Sequence, residues 1–102
     1  MNKNIRVRFS TEAFKIYKKI KEKSLDSKRQ ESLLKAINKY IMIIKKNIYF
    51  GIPISKDKIS LRYKTELGIN NLFRIKLPFY WNMFYTVKDG DPRVLIVGFV
   101  LG

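Results

Sequence analysis

The stretch LFRIKLPFYWNMFYTV, Leu72 to Val87, constrains this chain more than any other. Apolar residues recur at every second position, the period of a strand with one buried face. Phe73, Ile75 and Leu77 face one side, and Arg74 and Lys76 the other. After a turn at PFY, Trp81, Met83, Tyr85 and Val87 face one side, and Asn82, Phe84 and Thr86 the other. In a hairpin the two apolar sets share the buried face, because a one-residue slip would move every side chain across the sheet. Arg74, Lys76, Asn82, Phe84 and Thr86 are therefore expected on one common second face. A turn at DGDP leads into VLIVGFVL, which is apolar on both faces, as a strand inside a sheet would be. The expected strands are 72–77, 81–88 and 93–101.

The first half reads differently. IRVRF, Ile5 to Phe9, alternates apolar and basic residues and predicts a short strand. Ser10 follows as an N-cap, with Glu12 in the first turn and Phe9 and Phe14 spaced as a hydrophobic staple. The first helix is expected over about Thr11 to Lys23, with a stripe of Ala13, Phe14, Ile16, Tyr17 and Ile20. Ser27 and Gln30 have the spacing of a capping box, opening a second helix from about Lys28 to Asn47 with Leu33, Ile37, Tyr40, Ile41 and Ile44 on one side. The short break between them predicts a helical hairpin. Next, YFGIPISKDKISLRYKTELGIN reads as a long, mostly irregular basic loop with a helical turn near Leu61 to Leu67. The expectation is one α+β domain over 1–102: an N-terminal strand, a helical hairpin and an antiparallel three-stranded meander, with the helices on one face of the sheet.

Lys and Arg number 22 against 8 Asp and Glu, a net charge of +14. Charge of that size speaks to partners rather than to fold. Histidine and cysteine are both absent, which excludes Ser-His and Cys-His mechanisms within the chain and zinc sites of the usual ligand types. The absence of cysteine suits a reducing cytoplasm. The start, MNKNIRVRFS, has no apolar run behind its charges and does not read as a signal peptide. Asp89 and Asp91 are the only close acidic pair, and DGDP explains both as turn residues.

Cations beside exposed aromatics are what single-stranded nucleic acid uses. The second face offers Arg74, Lys76, Asn82 and Phe84, with Phe79 or Tyr80 as further aromatics beside them, and the basic loop adds Lys56, Lys58, Arg62 and Lys64. Together they form the expected nucleic-acid surface. The lysines of the first helix read as a solvated face adding long-range attraction.

With these residues in place, the chain resembles the RelE/ParE superfamily of toxins from toxin–antitoxin modules, especially its archaeal RelE-like branch. The likeness rests on VRFS before the first helix, NIYFGIPI after the second, NLFRIKLPFYWNMFYTV and VLIVGFVLG. It implies a metal-independent endonuclease that cuts messenger RNA in the ribosome, needs no cofactor and is held inactive by a cognate antitoxin protein. Arg74 and Lys76 match the basic pair on the family's first hairpin strand. Asn82 falls where active members often carry an arginine, a departure that removes one phosphate-stabilising cation. The resemblance also implies a basic and aromatic tail after the last strand, which this sequence, ending at Gly102, does not contain. Two other functions fit the same fold: a non-catalytic module binding nucleic acid or ribosome, and a ParE-like inhibitor of DNA gyrase.

Overall fold

The structure is a computed structural model that describes residues 4–102. It is an α+β fold with three α-helices and a five-stranded mixed sheet. The elements are β1 (Val7–Phe9), α1 (Thr11–Lys23), α2 (Lys28–Lys46), β2 (Ile52–Pro53), α3 (Leu61–Glu66), β3 (Phe73–Lys76), β4 (Trp81–Val87) and β5 (Val94–Leu101). Strand order is β1-β5-β4-β3-β2. β1 lies parallel to β5, and every other neighbouring pair is antiparallel.

The helix boundaries follow from local chemistry. Ser10 accepts a bond from the Ala13 N–H (3.2 Å) and Ser27 from the Gln30 N–H (3.2 Å), each worth about 1 kcal/mol as a cap. Phe9 and Phe14 meet with ring centroids 6.1 Å apart, the staple expected from their spacing. α1 and α2 pack as a hairpin, tied by Tyr17 Oη donating to Asn38 Oδ1 (2.8 Å). They bury Ala13, Ile20, Leu33, Ile37 and Ile44 against Ile75, Leu77, Met83, Tyr85, Val94, Ile96 and Phe99 of the sheet. Tyr85 is fully buried and satisfied: its hydroxyl donates to the Ile48 carbonyl (2.9 Å) and accepts from the Gly51 N–H (2.9 Å). Gly51 has no room for a side chain there, since a Cβ would lie 2.9 Å from the Tyr85 ring.

Three expectations are corrected. The basic loop is more structured than expected: besides α3, which falls where the helical turn was expected, it contains β2 and a 3-10 turn at Lys56–Lys58. Nor do all the helices lie on one face. α3 and its flanking segments cross the second face and build a smaller core of Ile59, Ile69, Leu72 and Val97, with Ile54, Tyr63, Phe84 and Leu95 packed around it. The β4–β5 ladder shifts register between Phe84 and Tyr85, leaving Val97 as an extra residue that joins Leu95 in this second core. Gly98 makes the approach possible, because a Cβ there would collide with the Tyr63 hydroxyl. Finally, Thr86 is buried rather than displayed. It donates to Asn71 Oδ1 (3.0 Å), while the Asn71 amide also exchanges both bonds with the Val87 backbone and stands in for a ladder partner beyond the end of β3.

Candidate nucleic-acid interface

The β3–β4 register places Lys76 opposite Asn82 and Arg74 opposite Phe84. Strand parity then sets Arg74, Lys76, Asn82 and Phe84 on the second face, away from α1 and α2. Their environments differ along the hairpin. Toward β5's bulge the face is roofed by the second core, and Phe84 is part of it. Phe84 is therefore half-buried, not the free stacking surface expected of it. Toward the hairpin tip the roof ends. Lys76 is exposed and Asn82 half-exposed, and both line an open depression with Leu77, Phe79, Tyr80, Trp81 and Gly102.

Arg74 stands at the border between the two. Its side chain is half-buried, and its Nε is enclosed without a hydrogen-bond partner among the described residues. An enclosed donor is costly unless satisfied, and a guanidinium presents its donors as a fork suited to carboxylate or phosphate.

The loop cations divide. Lys56, Lys58 and Lys64 are exposed and make no ion pair among the described residues. Arg62 is engaged otherwise. It pairs with Glu12 at the start of α1 and with Glu66 one helical turn on (3.0 Å), and the two carboxylates raise its pKa further above the ordinary arginine value. Its role is to dock α3 on α1, which withdraws it from the expected nucleic-acid set. Burial also raises the Tyr63 and Tyr85 hydroxyls above the usual tyrosine range.

The DGDP segment behaves as a turn: Lys88 N–H donates to the Arg93 carbonyl (2.8 Å), and Asp91 pairs with Arg6 (3.1 Å).

The hairpin tip holds what strand parity did not reveal. Leu77 N–H donates to the Trp81 carbonyl (2.8 Å), so Pro78, Phe79 and Tyr80 form a three-residue connection. Trp81 N–H donates to the Pro78 carbonyl, closing a tight turn around Phe79 (φ 63°) and Tyr80 (φ 65°). Left-handed backbone at a bulky residue costs on the order of 1–3 kcal/mol, and Asn or Gly normally fill such positions. Here two aromatics do, and Tyr80 remains 83% exposed. Arg29 at the start of α2 lies over the Phe79 ring, 4.8 Å from its centroid. The sequence contained no cue for this geometry, since no Asn-Gly or Asp-Gly pair marks the turn.

Among the described residues no helix is long and apolar enough to cross a membrane. No protein-family model, no curated protein and no solved structure matches this chain.

Proposed function

We propose that this chain is a RelE-like toxin of a toxin–antitoxin module, a metal-independent endonuclease that acts on messenger RNA at the ribosome in the cytoplasm and is restrained by an antitoxin protein. The observation that carries this reading is the register of the hairpin: Lys76 faces Asn82, with Arg74 on the same face. The order of strand, helical hairpin and three strands pairing antiparallel in succession supports the resemblance. The net charge of +14 supports a polyanionic partner.

The chemistry needs little from the protein. RNA supplies its own nucleophile, the 2′-hydroxyl, which gives its proton to water and attacks the adjacent phosphorus, forming a 2′,3′-cyclic phosphate as the bond to the 5′-oxygen breaks and that oxygen takes a proton from water. Positioning and stabilisation of developing negative charge are what remain. Arg74 grips a phosphate in bidentate fashion, Lys76 adds a point charge, and Asn82 contributes a hydrogen bond. Asn82 also favours a second reading, a non-catalytic RNA- or ribosome-binding module of the same fold, because an amide supplies no cation to the transition state.

The test is a translating-ribosome assay on a defined messenger. The endonuclease reading expects discrete cleavage that is lost in Arg74→Ala with Lys76→Ala and strengthened in Asn82→Arg. Ribosome binding without cleavage, in the native protein and in Asn82→Arg alike, supports the second reading. A protein that neither cuts messenger nor binds RNA or ribosomes contradicts both.

A further inference from the structure

We propose that the Phe79–Tyr80 turn is a stacking platform for unpaired bases of single-stranded RNA, placed so that the phosphate of the stacked nucleotide meets Lys76. This rests on the RNA-binding reading above and assigns a part to the tip that strand parity and the basic pair leave open.

Both residues stand in left-handed backbone where Asn and Gly are the ordinary occupants. Neither belongs to either hydrophobic core, and Tyr80 is the most exposed aromatic described. The fold thus keeps two large flat side chains at an unfavourable backbone position, with Tyr80 almost fully in solvent and Phe79 partly covered beside it. The tip is nonetheless fixed. Pro78 restricts its entry, Trp81 N–H closes it, Gly102 N–H donates to the Tyr80 carbonyl (2.9 Å), and Arg29 caps one side of the Phe79 ring. A rigid aromatic surface with cations beside it has the chemistry of a nucleotide site: a π-face for the base and positive charge for the phosphate. Lys76 and Asn82 line the depression directly beneath the turn. The ligand is single-stranded, because bases within a duplex have their faces covered by their neighbours and are not free to stack on protein.

The experiment compares two probes, a labelled eight-nucleotide single-stranded RNA and inorganic polyphosphate of similar charge. The variant is Phe79→Asn with Tyr80→Gly, which installs residues the turn prefers. Stacking predicts RNA affinity lower by about tenfold or more, polyphosphate affinity changed by less than about twofold, and a melting temperature equal to or above the native value. Tyr80→Trp, which keeps a π-face, retains RNA affinity; in the native protein, fluorescence of Trp81, the single tryptophan, is quenched by RNA. A tip variant that binds RNA as the native protein does, while Arg74→Ala with Lys76→Ala has lost affinity, overturns the platform and leaves the RNA reading standing. Equal loss for both probes also overturns it, as does a Tyr80→Trp protein as weak as the tip variant; such results reassign the exposed aromatics to another class of partner. A native protein that binds no RNA overturns the platform together with the reading beneath it.

Discussion

The two faces of the sheet are closed to different degrees. Under α1 and α2 a continuous core runs from Ala13 and Ile20 on the helices to Ile75 and Phe99 on the strands. On the other face four buried residues, Ile59, Ile69, Leu72 and Val97, make a smaller core that stops before the hairpin tip. The difference separates two tasks. The first face supplies most of the apolar burial, and with it most of the stability. The second is roofed only where β5 bulges, so the tip keeps its cations and aromatics in solvent. Binding residues there tolerate replacement without loss of the fold, whereas residues under the helical hairpin do not.

The largest effect belongs to the first face. Leu33→Ala or Ile37→Ala removes a fully buried side chain facing the sheet and should destabilise the protein by about 2–5 kcal/mol. Urea unfolding measures it, and a loss below that of any second-face substitution breaks the ranking of the two cores.

On the second face, Gly98→Ala sharpens the contrast. Its Cβ would press on the Tyr63 hydroxyl, displacing α3 at a cost of about 1–3 kcal/mol. Tyr63→Phe removes the clashing oxygen, leaving the nearest ring carbon 3.6 Å away, and should restore most of the loss in the double variant. Hydrogen exchange should show the change confined to α3 and its flanks, since the segments over the second face open before the first core does.

A smaller effect is set by pH. Burial raises the Tyr63 and Tyr85 hydroxyls above 10.0, against the counteracting Gly51 hydrogen bond at Tyr85. The native state then holds protons that the unfolded chain releases, so the contribution of these two hydroxyls to stability is fully present below about pH 10 and is lost as pH rises beyond it. Tyr85→Phe should be less stable at neutral pH by about 2 kcal/mol, having lost its bonds to Ile48 and Gly51. It should also lose less on passing to alkaline pH. Thermal melts across that range check the sign at both ends.

What was legible in the sequence follows the same division. α1, α2 and the β3–β4 hairpin carry their signals locally, in Ser10 and Ser27, in the helical stripes and in the alternation around Ile75 and Met83. β5 reads as internal from its two apolar faces, and it lies between β1 and β4. The roof of the second face has no such signature. Ile54, Ile59 and Ile69 are scattered without period, and β2 is two residues long and contains a proline. The contact that seats α3 depends on Gly98, whose missing side chain leaves no pattern. Arg62 read as a loop cation because its partner Glu12 lies 50 residues away. Phe84 read as exposed for the same reason: what covers it is distant in sequence. The turn at Phe79 and Tyr80 inverts local preference outright, so residue statistics point away from the geometry it adopts.

The most direct test of the open hairpin end as the RNA-contacting surface is single-stranded RNA affinity measured across a salt series, for the native protein and for Arg74→Ala with Lys76→Ala. Each phosphate contact contributes about 0.7 to the slope of log affinity against log salt. The double variant should therefore bind more weakly, with a slope shallower by about 1.4, and should remain folded, the exposed Lys76 contributing within about 0.5 kcal/mol and the half-buried Arg74 accounting for any larger loss. A double variant that unfolds, or one that keeps both the affinity and the salt slope of the native protein, would contradict it.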